Sequence, residues 1–412
     1  MTGFDARARL TAAAVMFLCR AVYAFNWYNI GAVLPLVRQG FGVGTADVAV
    51  VLGAFLVGAG IFQVPAGFVA LRFGNRATSI VALGAMGAFS LASGFSPNWE
   101  ALAALRFATG AGAAFFFAPA LGLVTAYYPP GERGPVIGWY NAGFSAGSGA
   151  GLFLGAVIGE LFGWAPALAV GGLLLFAGMG IAAWLLPRTL PTPPGPTRDP
   201  AWSAGWRVLK TRGLWALALG TSGLWAGFYV AAQWYVYYAN AVHASWSLAL
   251  AALVPALMIV AEIAGGPIGG RDAERRSHLP RLLAVWGVAA GIGIAAIPFL
   301  PFVAIWPMFL FLGFADGVVF AVLYLIPTYI PGLRAEEVSL GLAFLNSIQI
   351  FVGFALALAF GLVVAGWGYT MAWLLAGIAS VAFIPLLGWV PAGRNVARDG
   401  LLPGSAAGSP RS

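Results

Sequence analysis

A chain of 412 residues is long enough for two or three soluble domains, yet 61% of its residues are apolar and only 8% are charged. A water-soluble fold needs about 25% charged residues to cover its surface, so this composition, with a mean hydropathy of +0.90, excludes one and predicts an integral membrane protein. The apolar runs last about 20 residues or more without strand alternation, which predicts membrane-spanning helices and not a β-barrel. A single cysteine, Cys19, excludes a disulfide framework, and two histidines in different loops, His243 and His278, exclude a metal site of Cys/His type. No cofactor is expected. The net charge of +8 has a topological explanation given below, so no nucleic-acid partner is expected either.

In chain order, the segments able to cross a bilayer are 10–37, 47–70, 77–95, 101–126, 136–159, 165–186, 213–239, 246–268, 282–300, 302–330, 338–364 and 367–390, twelve in all. The first imitates a signal peptide, with Arg7 and Arg9 before an apolar run. That run continues to Pro35 with only Arg20 breaking it, which predicts a retained span. Pro298 and Pro301 divide the ninth span from the tenth. The longest polar connection, Pro187 to Lys210, begins with prolines that exclude a regular helix. It ends with Trp202 and Trp206 four apart beside Arg207 and Lys210, the pattern of a short interfacial helix. The connection splits the chain into a six-helix bundle at 1–187, a cytoplasmic linker at 188–209, a second bundle at 210–390 and a tail at 391–412. With the amino terminus in the cytoplasm, every Lys and Arg except Arg20, Arg38 and Arg106 falls on the inner side. This bias predicts a multi-pass cell-membrane protein with both termini cytoplasmic. The short loops fit a bacterial or archaeal inner membrane.

Equal halves of six helices are the pattern of internally repeated transporters, and local repeats agree with it. Gly67 to Arg76 follows the second span and Gly266 to Arg276 follows the eighth. Each begins with a glycine, has an arginine five residues later, and is preceded by a lone polar residue, Gln63 in one copy and Glu262 in the other. On these segments the chain resembles the major facilitator superfamily over essentially its whole length. The family's loop motif is matched by Gly67, Arg72, Gly74 and Arg76, with Leu71 where the family has aspartate. Its second copy is matched by Gly266, Gly270 and Arg271. The fourth span carries R-x-x-x-G as Arg106 to Gly110. The fifth carries Gly143, Gly147, Gly151, Gly155 and Gly159 on one face, similar to a glycine-rich motif of antiporters but without the family's glycine–proline pair. The resemblance implies an all-α membrane fold of twelve helices in two pseudo-symmetric bundles. It also implies that the loop-motif residues gate the cytoplasmic side and that spans one, four, seven and ten line the cavity. The residues themselves allow a plainer reading, glycines as packing surfaces and loop arginines as topology markers.

Charge inside hydrocarbon costs at least about 2.5 kcal/mol per residue, so ionisable residues deep in spans point to function. Arg20, Arg106, Glu262 and Asp316 are such residues. Arg20 shares a helix face with Tyr23 and Trp27, and Asn26 lies next to it. An arginine, a phenol and an indole on one face form a binding surface for a small anion with an apolar body, the alternative being an arginine that pairs with an acidic residue. Arg106 either snorkels or packs, Glu262 and Asp316 are candidate proton carriers, and Glu262 has a second reading as a stitch to the loop basic residues. Gln233 and Tyr237 in the seventh span, with Asn346 and Gln349 in the eleventh, have no reason to face lipid. Phe115 to Phe117 read as ordinary packing material.

No nucleotide-binding signature is present, and no histidine or cysteine lies beside a carboxylate in the spans, so neither an ATP-driven pump nor an enzyme is expected. The residues predict a monomeric secondary transporter of a small organic anion, such as a monocarboxylate, driven by protons or by exchange. The alternative is a proton-driven exporter of drugs or hydrophobic metabolites, and a non-transporting receptor is a further one. Membrane lipid and a small-molecule substrate are the expected partners.

Overall fold

The computed structural model of the chain describes residues 6–128, 132–187, 201–243, 245–275, 278–331, 333 and 337–391. The start of the linker at 188–200, the tail from 392 and the side chain of Leu71 lie outside the described residues.

The first six spans form α1 (Ala6–Phe41), α2 (Thr45–Phe73), α3 (Asn75–Ser93), α4 (Trp99–Ala126), α5 (Arg133–Phe162) and α6 (Trp164–Leu185). The short helix expected before Lys210 is α7 (Ala201–Lys210), fastened to the following half by an ion pair from Arg207 to Glu337. The remaining spans form α8 (Arg212–Val242), α9 (Leu248–Arg275), α10 (Leu279–Ala296), α11 (Phe302–Leu325) and α12 (Val338–Ala382). Pro298 and Pro301 do divide α10 from α11, through a 3-10 turn at Ile297–Phe299. Eleven described helices are long and apolar enough to cross a membrane. The last contains two crossings, because Gly368 (φ 81°, ψ 176°) breaks α12 within an unbroken run of turns. Only glycine takes that φ at little cost. Gly163 (φ 91°, ψ 172°) makes the same one-residue corner between α5 and α6.

The perimeter is apolar: Val81, Trp184, Val285, Ile292 and Val303 are exposed as lipid-facing residues should be. Close packing inside each half depends on glycine. A Cβ on Gly143 would stand 2.7 Å from the Phe17 carbonyl oxygen and one on Gly151 2.5 Å from that of Phe25, with Gly147 against Ala21 between them. The glycine face of the fifth span is therefore the seam between α5 and α1, one turn per glycine, as small residues at four-residue spacing permit. In the second half Gly313 lies against Met258 and Gly317 against Glu262, joining α11 to α9.

The halves meet toward the end that carries Arg38. Thr45 and Tyr237 share a hydrogen bond of 2.9 Å, and Glu160 accepts from the backbone N–H of Ala249 at 3.2 Å. Gly53 and Gly60 of α2 face Phe354 and Phe351 of α12, and Gly149 of α5 faces Ala256 of α9. Toward the Arg72 end the same helices part. A Cβ on Gly67, Gly138 or Gly266 would meet nothing within 4 Å, and Val64 and Phe68 are exposed.

Candidate functional site

Arg20 sits on α1 where α4 and α5 converge, and it is 6% exposed. Its guanidinium carbon lies over four rings: Phe144 at 4.5 Å, Tyr23 and Phe117 each at 4.8 Å, and Tyr140 at 5.0 Å. Its Nε and Nη1 are buried without a hydrogen-bond partner, and among the described residues no carboxylate pairs with it. The buried Tyr140 hydroxyl faces Arg20 and the buried Trp27 indole N–H faces Tyr23, neither in good hydrogen-bond geometry. Trp27 closes the cluster against Phe55 at 4.7 Å and Phe144 at 6.2 Å. Arg20, Tyr23 and Trp27 thus share one environment, as their spacing on α1 indicates. Sequence reasoning missed the partners from other helices. Phe117, read as ordinary packing, is one wall of the box. Tyr140 and Phe144 stand four apart on α5 beside Gly143, a spacing that could have singled them out.

Asn26 turns the other way. Its Nδ2 donates to Val22 and Gly171 carbonyls at 2.9 and 3.0 Å, its Oδ1 accepts from Ser90 at 2.6 Å, and its backbone oxygen accepts from both Nη atoms of Arg106 at 3.2 Å. Every polar atom of that side chain is used inside the first half. Arg106 is fully buried over Phe55 at 4.7 Å and does not snorkel. In this conformation the hydrogen bonds of both residues are made inside the first half.

In the second half, Gln233 is fully buried and its Nε2 donates to the Trp27 carbonyl at 2.8 Å, a bond between halves. Gln349 donates to Thr221 at 3.1 Å within its own half. Asn346 is half-buried on the same helix. Tyr237 belongs to the contact with Thr45 near the Arg38 end, away from Arg20. Glu262 and Asp316 are half-buried neighbours on the α9–α11 seam, each within electrostatic reach of Tyr28 on α1. Ser145 of α5 donates to Glu262 at 3.5 Å across the halves. Among the described residues neither carboxylate has a Lys or Arg partner; Arg276 and the side chain of Arg275, among the loop basic residues expected to pair with Glu262, lie outside the described residues. Tyr324 of α11 stands within electrostatic reach of both Arg20 and Glu262.

The loop-motif residues divide in two. Arg76 donates to the Ala183 and Leu186 carbonyls at 2.8 and 3.2 Å, capping α6, and Gly74 (φ 82°) turns the chain from α2 into α3. Arg72 and Arg271 are exposed, and Gly67, Gly266 and Gly270 stand in open space.

These features define a multi-pass helical membrane protein with charged groups gathered where two six-helix halves meet. The chain belongs to the Major Facilitator Superfamily, whose family model matches residues 16–335. It is 32% identical over 178 residues to a gallate transporter of Pseudomonas putida, covering 42% of this chain and 40% of that protein. It is 34% identical over 145 residues to a 4-hydroxybenzoate transporter of Pseudomonas aeruginosa, covering 35% and 32% respectively. The chain thus matches less than half the length of these relatives. A crystal structure of a bacterial homolog of the human lysosomal transporter Spinster, inward-facing and unoccupied, has the same fold. Its TM-score is 0.76 at 19% identity, over 97% of this chain and 100% of that one.

Proposed function

We propose that the chain is a secondary transporter of a small aromatic carboxylate, working by alternating access. The observation that carries this reading is the Arg20 box. Withdrawing a guanidinium from water costs several kcal/mol; four cation–π contacts of ~0.5–2 kcal/mol each offset much of that, but among the described residues no counter-charge is supplied. An incoming carboxylate supplies the missing charge, and the same rings receive its apolar body. The names of the two bacterial relatives point to the same chemistry.

Glu262 and Asp316 are the proton-coupling groups in this reading. They face one another across the α9–α11 seam and, among the described residues, neither is committed to a basic partner. The charge bias puts both termini and the Arg72 end in the cytoplasm, so the halves are parted on the cytoplasmic side. Passage of the anion requires the Thr45–Tyr237, Glu160–Ala249 and Gln233–Trp27 bonds to break while the Arg72 end closes. One protomer contains all of these groups, which fits a monomeric carrier.

Counterflow in proteoliposomes, with 4-hydroxybenzoate, gallate, succinate and a tetraphenylphosphonium cation as solutes, tests the reading. Saturable exchange of the two aromatic carboxylates is expected. Exchange of the lipophilic cation alone, or no solute-dependent exchange, would overturn it.

A further inference from the structure

A second place in the molecule has the chemistry of an anion site. At the Arg38 end a cavity of about 350 Å³ is lined by Arg38 and Gln39 of α1, Tyr237 and Asn240 of α8, and Tyr369 just after the Gly368 corner. It lies at the lower end of the ~300–1,000 Å³ that small-molecule sites span. Both halves contribute to it, and its lining combines one cation, two phenols and two amides with the apolar Pro35 and Val43. Arg38 stands in the last turn of α1, where a cation also complements the helix dipole. That role leaves the guanidinium free: among the described residues it has no ion pair or hydrogen bond, and Tyr369 is within its electrostatic reach. It is also the lone basic residue that the charge pattern assigns to this side of the membrane.

The cavity is distinct from the Arg20 box. Arg38 lies 18 residues further along α1, roughly 27 Å at 1.5 Å per residue. Tyr237, which lines the cavity, is bonded through its hydroxyl to Thr45 in the contact that closes this side.

We propose that this cavity is a peripheral docking site for an aromatic carboxylate, its anionic group on Arg38 and its ring against the half-buried Tyr369, whose own ring packs on Tyr237 at 6.4 Å. The choice of ligand rests on the aromatic-anion reading of the central box; the site itself does not require transport.

The test is protection of an introduced thiol. Asn240→Cys, and separately the exposed Gln39→Cys, are alkylated in intact cells with a membrane-impermeant reagent, the native Cys19 being buried. 4-Hydroxybenzoate is expected to slow both reactions and uncharged 4-hydroxybenzyl alcohol to leave them unchanged. Adding Arg38→Gln should raise the half-protecting concentration about tenfold, the loss of one charge-assisted contact. Arg38→Lys should raise it less, and Arg20→Gln should not move it. Two results would overturn the proposal: no protection by 4-hydroxybenzoate, or protection abolished by Arg20→Gln and indifferent to Arg38→Gln, which would make it a distant effect of the central box. If 4-hydroxybenzoate protects in the Arg38-dependent way and yet is not exchanged in proteoliposomes, the docking site stands and the transport reading falls.

Discussion

Gln233 of α8 donates a 2.8 Å hydrogen bond to the backbone carbonyl of Trp27 in α1, and in doing so joins the two halves beside the aromatic box. Its Oε1 is buried without a partner and sits where a Cβ on Gly31 would have to go. The α1–α8 contact is therefore close, with Tyr229 of α8 within reach of the Gln233 amide.

Gln233→Leu should remove a bond worth roughly 1 kcal/mol from the state closed at the Arg38 end. The opposite conformation should then be populated about five times more relative to this one. Alkylation of a Thr45→Cys reporter from the Arg38 side reads the shift directly, and an unchanged rate would show that the bond does not hold the halves together.

The glycines divide into those with and without a neighbour. Gly147→Val drives a side chain into the backbone of Ala21, and overpacking of this kind costs typically 1–3 kcal/mol or more. Gly67→Ala meets open space. Thermal unfolding in detergent should show a clear loss for the first and little change for the second.

Much of this was legible in the sequence because lipid imposes few solutions. Span positions, the division at Pro298 and Pro301, the interfacial helix before Lys210 and the glycine seam of α5 all follow from length, proline and small-residue spacing. The face of Arg20, Tyr23 and Trp27 was legible from α1 alone. The walls supplied by Phe117, Tyr140 and Phe144 were not, since helical periodicity says which residues share a face and nothing of which helix that face meets. Asn26 shows the converse: it is the residue before Trp27, but the 100° step between them turns it to α6 and Arg106. A further repeat emerges only from the backbone angles. Phe162-Gly163-Trp164 and Trp367-Gly368-Tyr369 occupy matching corners of the two halves, each an aromatic–glycine–aromatic triplet around a positive φ.

Arg106 and Arg20 should separate by assay. Arg106→Gln loses two hydrogen bonds to Asn26 that hold α4 on α1, so a lowered melting temperature is expected, with the affinity of the surviving folded protein for 4-hydroxybenzoate nearly unchanged. A selective loss of affinity at full stability would instead place Arg106 in the ligand shell.

Asp316→Asn should abolish uphill accumulation driven by a pH gradient while leaving exchange at equal pH intact, because exchange needs no net protonation. Accumulation that survives with its pH dependence unaltered would move the coupling role to Glu262, for which Glu262→Gln is the matching variant.

The most direct measurement is equilibrium binding of 4-hydroxybenzoate, by calorimetry, to the purified parent protein and to Arg20→Gln and Arg20→Lys. Loss of a buried charge-assisted contact should weaken binding by about tenfold or more in Arg20→Gln. Arg20→Lys, which keeps the charge but not the planar donor set, should fall between. Arg20→Gln, which removes the buried cation, should unfold near the parent's temperature, while Arg20→Lys should unfold below it, because a compact ammonium is more strongly hydrated than a guanidinium and costs more to bury. Binding in both variants as tight as in the parent would contradict the assignment of Arg20 as the anion receptor.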